Sequence, residues 1–328
     1  MSASTEDSSP PAAAEPARAD APQAARGYTE LGYAFAAIGA ILFSTKAVAI
    51  KLAYGDPVDA ATLLALRMAL SVPIYVAIGG LAVADLRRRS KPLPSLKTAA
   101  RAALIGILGY WFASYTDFIG LEFISAQFER LILFTYPLFV VVFGALFFRQ
   151  PLRLKAVAAI LVSYVGLALI FVEKVESGGN AAILGAGLVL CSALAFAFYQ
   201  LLAKPVIAEM GPRLFTCIAM SGAAIGAFVA FFVSHPPADL IVGERVFWLS
   251  VFLAIGATVL PSFFLNAALH RISAQANAAI GTVSPVVTIV LAAIFLGEVL
   301  QPAGIAGAAL VLAGVGWFTL ADRAQRGR

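Results

Sequence analysis

Lys46, Arg67, Asp117, Glu129 and Arg130 are five ionisable side chains set inside long apolar stretches. At bilayer depth an unpaired charge costs about 3 kcal/mol or more, so such residues face protein or water, pair with one another, and mark paths for ions or small molecules. Three cations and two anions leave one positive charge over. A low-dielectric site with that excess favours a ligand bearing a carboxylate or another anion. At about 1.5 Å rise per residue, Lys46 and Arg67 lie roughly 10–12 Å inside the outer ends of their stretches, and the other three roughly 6–8 Å inside theirs. All five therefore belong to one layer. Glu129 and Arg130 are neighbours, so on a helix they project about 100° apart. Asp117 is accordingly expected to pair with Arg130, and Glu129 with Lys46 or Arg67.

Helical spacing gathers polar and aromatic groups around this layer. Tyr110, Ser114 and Asp117 share one helix face, and Thr258, Ser262 and Asn266 share another. A third stretch offers Ser192, Phe196, Tyr199 and Gln200. Aromatics mixed with hydroxyls and amides are the usual lining of a small-molecule site. From the first half of the chain the expected substrate contacts are Lys46, Tyr110, Ser114, Glu129, Arg130 and Tyr136. From the second half they are Phe196, Tyr199, Gln200, Ser262 and Asn266. Lys46 is the expected contact for a substrate carboxylate. Pro137 and Pro285 fall midway along apolar stretches, where proline removes a backbone hydrogen bond, and they are expected as hinges. No nucleophile, base and metal set converges, so neither a catalytic residue nor a cofactor is expected. Cys191 and Cys217 read as small buried apolar residues. His235 and His270 are too few and too scattered for a metal site.

The elements that must hold these residues are membrane spans. Hydrophobic residues make up 61% of the chain and charged residues 12%, and mean hydropathy is +0.91. A soluble domain carries about 45–50% apolar and about 25% charged residues. Stretches of the length a bilayer demands are expected near 31–53, 59–84, 102–122, 125–148, 155–172, 181–203, 214–234, 246–269, 274–296 and 303–321. With the N-terminus inside, 17 of the 23 Lys and Arg residues fall on the cytoplasmic side and three on the outer side. Both termini are therefore expected in the cytoplasm of a cell with a bacterial-type inner membrane. The net charge of +5 reports orientation and not a nucleic-acid partner. The lipid bilayer and a small-molecule substrate are the expected partners. Residues 1–28 lack the apolar content to pack and are expected as a disordered tail, with 322–328 as a basic cytoplasmic end.

The spans repeat. Leu121, Ile124, Ser125, Ala126, Gln127, Pro137 and Gly166 recur as Leu269, Ile272, Ser273, Ala274, Gln275, Pro285 and Gly314, always 148 residues on. The same offset relates Ser44 to Ser192 and Ser114 to Ser262. Units at 29–173 and 180–321 with five spans each enter the bilayer in opposite senses. The expected fold is therefore all-α and integral to the membrane, with ten transmembrane helices in two inverted repeats. Secondary transporters build alternating access around a midplane site in this way.

In Ser284-Pro285, Ile294-Phe295-Leu296-Gly297-Glu298 and the following Gly304, Gly307 and Gly314, the chain resembles the EamA-type branch of the drug/metabolite transporter superfamily. The first copy carries Leu121 to Leu133 with its Glu129-Arg130 pair, then Tyr136-Pro137, and Phe43-Ser44-Thr45-Lys46 fits the same branch. Where the second copy has Gly297-Glu298, the first has Arg149-Gln150. The resemblance implies ten helices, a central cavity and movement of a small metabolite, commonly outward. An amino acid or related compound is the expected cargo, and Asp117 is the candidate carrier should a proton be coupled.

Overall fold

The computed structural model describes residues 20–149, 154–281 and 283–299, together with part of 302–317. Every regular element among them is helical. The chain runs through α1 (Asp20–Ala53), α2 (Ala60–Arg88), α3 (Leu96–Phe123) and α4 (Ala126–Phe148). A continuous helical stretch, Leu154–Met210, divides at Gly179, whose φ of 57° and ψ of −142° suit a residue without Cβ. It gives α5 (154–178) and α6 (Gly179–Met210). There follow α7 (Pro212–Ser234), α8 (Glu244–Arg271) and α9 in two pieces, Ala274–Ile280 and Val283–Leu296. Seven helices among the described residues are long and apolar enough to cross a bilayer: α1 from Tyr28, then α2, α3, α4, α6, α7 and α8. Ser284–Leu296 is a shorter apolar helix. The protein is a multi-pass membrane protein.

Two expectations need correction. Helix α1 begins at Asp20, so the last part of the expected tail is an Ala-rich extension of the first helix. Cys191 is exposed on its helix, whereas Cys217 is buried as expected. Residues 1–19, 318–328 and much of the expected tenth span lie outside the described residues.

The 148-residue offset reappears in the backbone. Ile124 and Ile272 are both extended, with φ of −127° and −121°, and each ends a helix. The serines that follow restart the chain as N-caps: Ser125 accepts from the Phe128 amide at 3.2 Å and Ser273 from the Ala276 amide at 3.1 Å. The shared Ile-Ser-Ala-Gln motif is thus a stop and restart. Turns of π-helix begin at Ile107 in α3 and Ile255 in α8, again 148 residues apart. Arg149 and Gly297, a third such pair, both take left-handed backbone with φ of 53° and 66°. Glycine adopts that conformation freely, and arginine does so at a cost of about 1–2 kcal/mol.

Pro137 and Pro285 do not lie inside continuous helices. Helix α4 breaks at Phe134–Thr135 and restarts at Tyr136, so Pro137 sits in a first turn, where its missing N–H is not needed. Pro285 likewise lies in the first turn of the second piece of α9.

Small residues bring helices together. A Cβ on Gly106 would stand 1.9 Å from the Ala219 carbonyl oxygen, and one on Gly222 would stand 2.6 Å from that of Ala103. Helices α3 and α7 therefore meet backbone against backbone. Asp59 caps α2 by accepting from the Thr62 amide at 2.8 Å, and its other oxygen lies 2.6 Å from the His235 ring. Burial opposes the charge of Asp59, yet the Thr62 hydrogen bonds and the His235 ring hold its carboxyl below the usual carboxylate range.

Candidate functional site

Lys46 on α1 and Asp117 on α3 make the tightest contact of the charged layer. Lys46 Nζ donates to Asp117 Oδ2 at 2.6 Å, and the side chains are 3% and 0% exposed. The pairing expected from sequence, Asp117 with Arg130, is not the one formed. Arg130 Nε instead lies 3.6 Å from Glu129 Oε2, while its Nη2 donates to the Phe43 carbonyl at 3.3 Å. Adjacent Cβ atoms diverge on a helix, but the long arginine side chain folds back far enough to reach its neighbour. Both Glu129 carboxylate oxygens and Asp117 Oδ1 are buried without a hydrogen-bond partner. The Phe43 ring lies against both cations, 4.6 Å from Lys46 Nζ and 5.5 Å from Arg130 Cζ. Lys46, Asp117, Glu129 and Arg130 thus form one buried cluster.

Arg67 stands apart from it. Its guanidinium lies 4.9 Å above the Phe118 ring, and the residue is 2% exposed. Its Nε and Nη2 are buried with no hydrogen-bond partner.

Both sets border a single cavity of about 850 Å³ of atom-free space, its open mouth included. Lys46, Arg67, Tyr110, Ser114, Arg130 and Tyr136 line it from the first half of the chain. Ser192, Phe196, Gln200, Thr258, Ser262 and Ser284 line it from the second. The stacked rings of Phe43 and Phe196, 6.1 Å apart, with Tyr136 edge-on to Phe196 at 5.0 Å, make an aromatic wall. Ser44 on α1 donates to Ser284 on α9 at 2.7 Å, tying the two halves together beside the wall.

Three expected contacts lie behind the lining. Tyr199 is 2% exposed and donates to Asn266 Oδ1, and its hydroxyl lies 3.0 Å from that of Tyr110. Asn266 in turn donates to Tyr110 at 3.2 Å and Thr216 at 2.9 Å. Tyr199 and Asn266 therefore orient Tyr110, which does reach the cavity. Glu129, with no exposure, backs the charged cluster. The candidate proton carrier Asp117 is likewise held behind Lys46. Arg67, Phe43 and Thr258 border the cavity although they were not among the expected contacts. An arginine with no acid at helical spacing on its own span was the available signal for Arg67.

At the end of α9, the Glu298 carboxylate accepts from the Ala126 and Gln127 amides at 2.9 and 3.1 Å. It caps the N-terminus of α4 and joins the two halves, which accounts for an acid at that place.

A multi-pass helical bundle whose largely apolar cavity carries a few buried cations and hydroxyls and is lined by both halves of the chain has the form of a small-molecule membrane transporter. The chain belongs to the EamA-like transporter family, which matches residues 30–172 and again 183–320. It is 28% identical to the uncharacterized transporter YcbK of Bacillus subtilis over 295 residues, covering 87% of this chain and 92% of that one. A probable terminal-alkyne amino-acid exporter of Streptantibioticus cattleyicolor is 27% identical over 75% of this chain and 78% of its own length. A probable amino-acid metabolite efflux pump of Salmonella typhimurium is 28% identical over 58% of this chain and 66% of its own. A solved crystal structure shares the fold with a TM-score of 0.62 at 19% identity, over 90% of this chain and 99% of that one.

Proposed function

We propose that this EamA-like transporter is a secondary exporter of an amino acid or a related carboxylate-bearing metabolite. The observation that carries the reading is the cavity itself, which combines buried cations, an aromatic wall and hydroxyls from both halves of the chain. Such a lining suits a small molecule with a charged end and an apolar side chain. The names of the Salmonella and Streptantibioticus relatives support amino-acid export. Cells overproducing the protein should resist toxic amino-acid analogues, and cells producing the Lys46→Ala variant should not. Equal sensitivity of overproducing and control cells across a broad analogue panel would remove the reading.

Ten spans in two inverted five-helix repeats, with both termini in the cytoplasm of a bacterial-type inner membrane, are part of the same proposal. The backbone features that recur at one offset and the bias of the basic residues support it. Reporters active in the cytoplasm should work at both termini and near residue 90, and periplasmic reporters near residues 176 and 240. A periplasmic signal from the fusion near residue 90 contradicts the orientation.

A further inference from the structure

We propose that Arg67, and not Lys46, receives the substrate carboxylate. The inference rests on the transport reading above and adds the residue and the ligand group it binds. Charge balance is the starting point. The layer holds three cations and two acids, and the structure shows which cation is left over. Lys46 is taken by Asp117 at 2.6 Å, and Arg130 lies 3.6 Å from Glu129. Arg67 has no carboxylate within ion-pair distance among the described residues. Asp117 is the acid whose field reaches it, and Asp117 is already held by Lys46.

Geometry points the same way. The guanidinium is planar, and its N–H groups lie in the plane. The Phe118 ring lies 4.9 Å from Arg67 Cζ, and no hydrogen bond is made along the buried Nε and Nη2 edge. The two atoms without partners, Nε and Nη2, are the adjacent pair on that edge. Their parallel N–H bonds match the two oxygens of one carboxylate. Arg67 also borders the cavity. A buried cation left with empty donors is costly, and an entering carboxylate removes that cost. Thr258, whose Oγ1 is also buried without a partner, borders the same cavity, as does Arg130, whose Nε makes no hydrogen bond but lies 3.6 Å from Glu129. The aromatic wall of Phe43, Phe196 and Tyr136 then remains for the side chain.

The test is ligand-induced thermal stabilisation of the purified full-length protein in detergent. The probes are L-phenylalanine and L-leucine, each paired with its carboxamide, which keeps the amine and side chain but lacks the anion. The parent should be stabilised by the acids at lower concentration than by the amides. Arg67→Gln should raise the half-stabilising concentration of the acids about tenfold to a hundredfold, the range for a hydrogen bond to a charged group, and leave the amides unchanged. Arg67→Lys, which keeps the charge without the fork, should fall between. If Arg67→Gln does not fold, Arg67→Lys decides: a smaller acid-to-amide preference than the parent's is expected, and an undiminished one overturns the proposal. A parent-like preference in Arg67→Gln overturns the Arg67 assignment while the transport reading stands. A parent that no acid stabilises in preference to its amide overturns the assignment and the carboxylate-cargo reading together.

Discussion

Lys46→Ala should cost the fold about 3–5 kcal/mol, because it strands Asp117 as an unpaired buried carboxylate. The two side chains meet at 2.6 Å with 3% and 0% exposure, so water offers Asp117 no substitute partner. Asp117→Leu alone should be damaging for the converse reason, leaving the Lys46 ammonium against Phe43 without its anion. Lys46→Met combined with Asp117→Leu should recover most of the loss, since apolar replacement of a whole buried pair is often neutral or better. Some loss should persist, because Lys46 also attracts the nearby Glu129. Thermal unfolding of the parent, Lys46→Met, Asp117→Leu and the double variant in one detergent measures the coupling. Strictly additive losses would show that Lys46 and Asp117 act independently.

The positions of the seven membrane-length helices among the described residues were legible because span length and apolarity are local properties. The repeat was legible too, and the structure gives its motif a physical meaning. Ile124-Ser125 and Ile272-Ser273 are helix stops followed by serine caps, and both halves use them in the same way. The partners of the buried charges were not legible. Depth along a span follows from residue number, but the direction a side chain faces depends on which helices pack around it. Lys46 meets Asp117 because α1 and α3 are brought side by side, which no spacing within either helix reveals. Ser114 and Ser262 reach the cavity, while Asp117 and Asn266 at the far ends of those faces stand behind it. Arg67 belonged to the expected charged layer, and what distinguishes it from Lys46 and Arg130 is that no carboxylate among the described residues lies within ion-pair distance of it.

The second large effect concerns transport itself. Purified protein in liposomes preloaded with unlabelled L-phenylalanine or L-leucine should concentrate the labelled form of the same amino acid transiently above its outside level. Such counterflow requires one site that opens alternately to each side, which is the role assigned to the cavity between the two halves. The overshoot should be absent from protein-free liposomes and abolished by Lys46→Ala, while the carboxamides should compete weakly from outside. A transient overshoot with these properties is the result that the proposed alternating-access transport of carboxylate-bearing amino acids predicts. Labelled amino acid that only equilibrates, at the same rate with and without protein across a panel of amino acids, would contradict it.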